Sequence, residues 1–198
     1  YSFTMPSPDI LAAALGACGV GDGHRIVIYS RKSPMWATRL WWMLRAIGFD
    51  DAAILDGGWD KWVAEGRPIS AEPCRYAPAV LTPRPRPGLF VGKDAVRAAI
   101  GDDSVCTINA LSAESHRGAA ARYGRAGRVP GSVNVPAGSL IDSLTQELPS
   151  PERAAAAFGA VGVAPTRRVI AYCGGGIAAT LDAFLLHQLG WTDIAVYD

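Results

Sequence analysis

The chain has 198 residues, of which 49% are hydrophobic and 19% charged, and its formal net charge at pH 7 is +1. This composition is typical of a folded protein with one large or two small domains, and it excludes a disordered chain. The basic residues are scattered and no apolar run is long enough to span a bilayer, so neither a nucleic-acid nor a membrane partner is expected.

Four cysteines, at positions 18, 74, 106 and 173, are spaced too widely to form a CxxC pair. No His/Cys cluster has the spacing of zinc ligands, so no metal is expected, and no cofactor either. Free thiols are typical of a reducing compartment, and the sequence starts without the basic and apolar regions of a signal peptide. We therefore expect a cytoplasmic protein.

The chain contains two copies of one sequence pattern. Residues 5–30 align without a gap with 148–173, and after one extra residue in the first copy the match resumes as far as Asp56 and Asp198. The first copy (5–56) and the second copy (148–198) share 19 identical pairs, among them Thr38/Thr180 and Gly48/Gly190. So many identities in register indicate a duplicated domain.

Each copy predicts a helix, a strand, a second helix and a second strand, in that order. Ser7 or Ser150, followed by proline and an acidic residue, opens the first helix as its N-cap, and the helix ends near Gly16 or Gly159. Strands are predicted at 26–29 and 169–172, second helices at about 37–47 and 179–189, and second strands at 53–55 and 194–197. Such crossovers predict an α/β fold, with parallel sheets flanked by helices.

Residues 66–90 contain six prolines and predict an extended connector that cannot enter a sheet. Its apolar residues Tyr76, Leu81 and Phe90 are expected to pack along the domains. We therefore predict a partial, non-catalytic first domain at 1–65, a linker at 66–89 and a catalytic second domain at 90–198. A strand at 105–109 has no counterpart before the first copy, and the helix-like GGWDKW after Asp56 has none after Asp198. The first domain is thus expected to be N-terminally incomplete, and the second to lack its C-terminal helix.

Cys173 stands between an apolar strand and three consecutive glycines, in the segment AYCGGGIAAT. Ligands of parallel α/β sheets bind beyond the carboxyl ends of strands, where this cysteine is expected. The five residues Gly174, Gly175, Gly176, Ile177 and Ala178 can curl with their amide groups inward, and a helix is expected to begin about five residues after the cysteine. The first anion that such a loop favours is the thiolate, so Cys173 is the predicted nucleophile.

The first copy provides an internal control. It has Ser30, followed by RKSPMW, where the second copy has Cys173 and the glycines. A serine without an evident base is a poor nucleophile, so only the second copy is expected to be catalytic. Cys18, Cys74 and Cys106 lack any comparable loop.

The chain resembles a tandem-domain rhodanese, a thiosulfate or 3-mercaptopyruvate sulfurtransferase. The resemblance rests on WATRLWWMLRAIGFDDAAILDGGWDKW (36–62), GRVPGSVNVP (127–136) and YCGGGIAAT (172–180). It implies a pair of α/β domains with five-stranded parallel sheets. It also implies that Cys173 carries a sulfane sulfur as a persulfide from the donor to cyanide or a thiol, with residues 174–178 as its substrate-binding loop and a thioredoxin-like reductant as a candidate partner.

Some positions depart from the family pattern. Family members that prefer thiosulfate tend to have cationic residues in the loop, whereas this loop is uncharged and closer to the CG(S/T)G form of the mercaptopyruvate enzymes. Gly175 replaces the hydroxyl of that form, and Phe3 stands where the mercaptopyruvate branch has a histidine. The arginine pattern RFRG of the family is SHRG here, which leaves Arg117 and Arg122 as candidate substrate-binding residues.

Two alternatives belong to other functional classes. A persulfide-carrying or regulatory module would use the same cysteine without turnover of its own. A cysteine-dependent phosphatase also surrounds a thiolate with amides, but its chemistry needs an arginine that closes the loop. Ala178 and Ala179 stand at that place, which disfavours the phosphatase.

Overall fold

A computed structural model describes residues 3–119 and 125–198 of the chain. The helices it contains are α1 (Pro8–Ala17), α2 (Met35–Ala46), α3 (Gly58–Ala64), α4 (Lys93–Ala98), α5 (Ala113–Arg117), α6 (Ala137–Leu140), α7 (Pro151–Gly159) and α8 (Ile177–Gln188). The strands are β1 (Ile26–Ile28), β2 (Ala52–Ile54), β3 (Phe90–Val91), β4 (Val105–Asn109), β5 (Val133–Asn134), β6 (Arg168–Tyr172) and β7 (Ile194–Tyr197). None of the helices in the described ranges is both long and apolar enough to cross a bilayer.

The strands form two sheets in which every pair is parallel, which confirms the α/β class. β1 and β2 make a two-stranded sheet, and the other strands form a five-stranded sheet in the order β3-β7-β6-β4-β5. The two copies use the same register, since Ile26 pairs with Ala52 in the first sheet and the equivalent Val169 pairs with Ile194 in the second. The repeat in the sequence is therefore a repeat in backbone pairing as well.

The first helix of each copy begins as the sequence predicts. Ser7 Oγ accepts a hydrogen bond from the amide of Ile10, and Ser150 Oγ accepts one from the amide of Arg153. In both helices a proline occupies the first turn, where its missing N–H group costs nothing. The serine-proline pattern thus sets both helix starts.

The second helices, α2 and α8, pack against each other and join the two copies. Both begin two residues earlier than predicted, at Met35 and Ile177. The Trp41 ring meets the Phe184 ring edge-on at a centroid distance of 4.9 Å, and both side chains are buried. One hydrophobic core therefore runs through both copies, with members from α2, β6, α8 and β7.

Two equivalent hydrogen bonds also cross between the copies. Asp56, just after β2, accepts a bond from the amide of Leu148 at 2.8 Å. Asp198, just after β7, accepts a bond from the amide of Met5. Since Met5 aligns with Leu148 and Asp56 with Asp198, the last strand of each copy holds the residue that leads into the first helix of the other.

Residues 66–89, all within the described part of the chain, form no helix or strand, as the prolines predict. Three of its amides donate to carbonyl groups of the first copy: Ala79 to Gly16, Arg84 to Ile47 and Arg86 to Ala46. Leu81 is buried and Phe90 partly buried. The expectation for Tyr76 is wrong, because its side chain is 73% exposed and only the start of its side chain lies near Gly19.

Candidate active site around Cys173

Cys173 directly follows β6, which lies inside the five-stranded sheet between β7 and β4. Because all strands are parallel, their carboxyl ends meet at one edge, and this is the edge at which α/β proteins bind ligands. The thiol is half-buried and packs partly against the core. It is therefore held firmly while remaining open to a ligand.

Gly174, Gly175 and Gly176 form the loop between β6 and α8. Gly176 has φ of +71°, a left-handed conformation that favours glycine, and it is the N-cap of α8. The helix begins at Ile177, so Ile177 and Ala178 belong to its first turn and not to the loop. First-turn amides have no partner within a helix, and together with the helix dipole they favour an anion beside Cys173.

A closed set of hydrogen bonds fixes the residue before the thiol. The buried Tyr172 hydroxyl accepts a bond from the amide of Val129 at 3.0 Å and lies 3.0 Å from the Ser132 hydroxyl. Ser132 in turn donates to the carbonyl of Val129 at 2.7 Å. The GRVPGSVNVP motif is thus attached to the end of β6, where it holds Cys173 in place.

A pocket of about 540 Å³ opens in front of the thiol. Three strands end beside it: β3 at Val91, β6 at Tyr172 and β7 at Tyr197, each followed within two residues by a lining side chain. One lining residue, Thr4, comes from the segment before the first copy. The residues around the pocket are Thr4, Lys93, Cys173, Gly174, Gly175, Gly176, Tyr197 and Asp198.

A buried ion pair lies beneath the glycine loop. Arg39 of α2 approaches Asp198 Oδ1 with Nη2 at 2.8 Å, and the two side chains are only 6% and 9% exposed. The same guanidinium donates to the Phe3 carbonyl at 2.6 Å and lies 4.8 Å from the ring centroid of Phe90. A Cβ on Gly176 would come within 2.6 Å of Arg39 and 2.5 Å of Asp198, so the pair touches the loop backbone.

The sequence predicted the thiol and its glycines, but it missed Thr4, Lys93, Arg39 and Asp198. Three of these come from elements far from Cys173 in the chain, and their approach depends on how the copies pack. One signal was available: Asp198 aligns with Asp56 in the repeat. A carboxylate retained after the last strand of both copies suggests a shared structural role.

In the first copy the equivalent loop differs in chemistry. Ser30 stands in the place of Cys173 and donates its hydroxyl to the carbonyl of Ser33 at 2.7 Å. Lys32 has φ of +64°, and α2 begins only at Met35. The Ser30 hydroxyl proton is thus engaged within its own loop.

The structure does not bring Arg117 to the thiol. It is exposed in the last turn of α5 and is not among the described residues that line the pocket. Arg122 lies outside the described residues.

His116 precedes Arg117 in α5. Its pKa is lowered because burial disfavours the imidazolium, with a further contribution from the charges of Arg128 and Arg117.

The other three cysteines lie away from the pocket lining. Cys18 and Cys74 are exposed, and Cys106 is buried in β4. Burial raises the pKa of the Cys106 thiol, because the thiolate is disfavoured away from water. Within residues 3–119 and 125–198, no group of three or more His, Cys, Asp or Glu side chains is arranged to hold a metal ion.

Comparison with known proteins gives consistent matches. The sequence pattern of the Rhodanese-like domain family matches residues 4–65 and 112–198. Thiosulfate sulfurtransferase of Gallus gallus is 29% identical, with the alignment covering 100% of this chain and 69% of that protein. Thiosulfate/3-mercaptopyruvate sulfurtransferase 1, mitochondrial, of Arabidopsis thaliana is 28% identical over 98% of this chain and 57% of its own length.

Among solved structures, the 3-mercaptopyruvate sulfotransferase of Escherichia coli superimposes with a TM-score of 0.85 at 26% identity. The superposition covers 98% of this chain and 72% of the other. The chain spans 57% to 69% of the length of the Arabidopsis and chicken relatives.

Proposed function

The chain belongs to the family of rhodanese-like domains, and we propose that it is a sulfurtransferase with Cys173 as the sulfur carrier. The proposed donor is thiosulfate or 3-mercaptopyruvate, the substrates in the names of its relatives. The proposed acceptor is cyanide or a thiol, and a thioredoxin-like reductant would provide the thiol. Residues 1–65 and 90–198 are the two proposed domains, joined by the linker 66–89, and only the second is catalytic.

One observation carries this proposal: the only cysteine beside a glycine loop, in the described part of the chain, stands at the carboxyl end of a central parallel strand. The first turn of α8 begins four residues after it, and its free amides favour a bound anion at this place. The absence of side chains on Gly174, Gly175 and Gly176 leaves room for a small donor to reach the sulfur. Ser30, which occupies the equivalent place in the first copy, has no thiol to offer.

The proposed reaction has two steps, formation of a persulfide on Cys173 and transfer of its outer sulfur to the acceptor. The Cys173 thiolate attacks the terminal sulfur of thiosulfate, the S–S bond breaks, and sulfite leaves with the bonding electron pair. Cyanide then attacks the outer sulfur of the resulting persulfide, thiocyanate departs, and the Cys173 thiolate returns. With 3-mercaptopyruvate a C–S bond breaks instead, and the pyruvate enolate leaves and takes up a proton from solvent.

The test is an assay of the full chain with each donor and cyanide. Cys173→Ser is expected to abolish thiocyanate formation, whereas Cys18→Ser, Cys74→Ala and Cys106→Ala retain it. Intact mass spectrometry after donor treatment should show one added sulfur atom in the wild-type chain and none in Cys173→Ser.

Loss of transfer in one of the three control variants, with the fold intact by circular dichroism, would contradict the assignment of Cys173. Loading of one sulfur without turnover would instead favour a persulfide-carrying module.

A further inference from the structure

Lys93 is a cationic residue at the Cys173 pocket that the catalytic loop itself does not supply. It is the first residue of α4, two positions after β3 ends at Val91. β3 pairs with β7 in a register that sets Val91 beside Tyr197, and β7 pairs with β6, which ends beside Cys173. Lys93 and Cys173 thus follow strands that are two places apart in the sheet, about 10 Å between strand axes. A flexible four-carbon stem can cover much of that separation.

The charges around the pocket leave Lys93 uncompensated. The lining contains one carboxylate, Asp198, and one cation, Lys93. Asp198 is already bound to the Arg39 guanidinium and to the amide of Met5. Lys93 is exposed and forms no ion pair with any residue in the described ranges. The pocket in front of the thiol therefore carries a net positive charge that comes from Lys93.

We propose that Lys93 binds the anionic group of the sulfur donor while the donor sulfur meets Cys173. This inference rests on the proposed function and adds the residue that recognises the substrate charge. The anionic group is the oxygen-bearing end of thiosulfate or the carboxylate of 3-mercaptopyruvate. Lys93 thus provides, from the end of a strand two places away in the sheet, the cation that Gly174, Gly175 and Gly176 lack.

The charge on the donor is present both before and during the reaction, so Lys93 acts on binding more than on the chemical step. Lys93→Ala is expected to raise the KM for thiosulfate by about three- to tenfold, the effect of one charge pair in a largely hydrated site. The kcat should stay within about twofold. The dependence of kcat/KM on salt should also become weaker, because one attractive charge has been removed.

Arg97→Ala is the matched control, since Arg97 is an exposed cation on the same helix but not part of the pocket lining. It should leave the KM unchanged. Lys93→Arg keeps the charge and should recover most of the affinity, whereas Lys93→Glu should weaken it further than alanine does. Equal KM values for wild type, Lys93→Ala and Lys93→Glu would overturn the inference.

A second readout does not need turnover. The alkylation rates of Cys173 by anionic iodoacetate and by neutral iodoacetamide are followed by mass spectrometry of the peptide that contains it. Lys93 should favour iodoacetate, so the ratio of the two rates is expected to fall about three- to tenfold in Lys93→Ala and to stay unchanged in Arg97→Ala.

The two experiments separate the two proposals. A chain without sulfur transfer whose alkylation ratio falls in Lys93→Ala has the anion site but not the proposed function. A chain that transfers sulfur, with neither the KM nor the ratio altered in Lys93→Ala, has the proposed function without this role for Lys93.

Discussion

Thr38 and Thr180 occupy equivalent positions in the two copies, and their hydroxyl oxygens lie 3.1 Å apart in the buried contact between α2 and α8. Each hydroxyl can also donate to the carbonyl three residues earlier, Met35 at 3.0 Å and Ile177 at 2.7 Å. A residue that touches its own equivalent marks an approximate two-fold axis. The axis passes between the first turns of α2 and α8, next to the glycine loop.

Removing one of these hydroxyls should cost stability, and removing both should cost less than twice as much. Thr38→Val or Thr180→Val loses one buried hydrogen bond while keeping the shape, which is worth about 1 kcal/mol of unfolding free energy. In the double variant no hydroxyl remains without its partner, so the loss falls below the sum of the single losses. Urea unfolding of the four proteins measures this coupling. Strict additivity would show that the two hydroxyls do not interact.

Breaking the buried ion pair should be far more damaging than breaking an exposed one. Arg39→Leu places in α2 the residue that the second copy has at the equivalent Leu181, but it leaves the Asp198 carboxylate buried without its cation. We expect a loss of about 3–5 kcal/mol in unfolding free energy and lower sulfur transfer. The matched control is Arg25→Leu, which breaks a pair with Asp51 whose side chains are 79% and 59% exposed. That variant should unfold at nearly the wild-type denaturant concentration, and equal losses in the two variants would refute the expectation.

Adding a methyl group at Gly176 should disturb the loop more than the same change at another left-handed glycine. Gly176 and Gly190 have φ of +71° and +87°, so alanine is strained by about 1–2 kcal/mol at either position. At Gly176 the new Cβ also meets Asp198 and Arg39 at 2.5 and 2.6 Å, whereas at Gly190 no atom lies within 4 Å. Gly176→Ala should therefore lose more stability than Gly190→Ala and also lose sulfur transfer. If Gly176→Ala keeps wild-type activity, the ion pair does not support the loop.

Asp182 predicts an unusual dependence of stability on pH. The side chain is fully buried in α8, and in the described structure neither carboxyl oxygen has a hydrogen-bond partner. Burial raises the pKa of this carboxyl well above its ordinary value of 3.8, so the folded chain keeps it neutral while the unfolded chain ionises it. The free energy of unfolding therefore keeps its full value below the ordinary pKa of 3.8. It decreases as the pH rises from there towards the pKa that Asp182 has in the folded chain.

The check is urea unfolding of Asp182→Asn and wild type between about pH 4 and pH 7. The variant cannot ionise at this position, so its stability relative to wild type should increase as the pH rises. Asp142→Asn is the control: backbone hydrogen bonds from Thr145 and Leu144 lower the pKa of that carboxyl below its ordinary value of 3.8, so the stability of this variant relative to wild type should change little between about pH 5 and pH 7. A constant difference between Asp182→Asn and wild type would show that Asp182 ionises normally in the folded protein.

The local features of this fold can be predicted from the sequence. Periodicity and capping predict the strands and helices of both copies within about two residues, because serine caps, prolines and glycines act on their own neighbours. The loop at Cys173 can also be predicted, because its three glycines directly follow the cysteine in the sequence. Contacts between the copies are different, since the Arg39–Asp198 pair joins residues 159 positions apart. Nothing near Arg39 in the sequence shows which carboxylate it will meet.

The position of Lys93 at the pocket could not be predicted from the sequence either. Its approach to the pocket depends on the strand order, in which β3 lies at one edge of the sheet beside β7. Parallel crossovers predict that strand ends share an edge, but the order of strands along that edge comes from how the helices pack. The exposed Tyr76 is a related case, because an aromatic residue in a proline-rich segment can face either the domain or the solvent.

The crossed hydrogen bonds of Asp56 and Asp198 also bear on when the pocket at Cys173 can form during folding. The bond between Met5 and Asp198 joins residues 193 positions apart, and the bond between Asp56 and Leu148 spans 92. Contacts of such long range slow folding, because the chain loses loop entropy before it gains the contact. During synthesis, the glycine loop emerges before Asp198 is available to meet Arg39 beneath it. The two copies must therefore meet before Cys173 has its final surroundings.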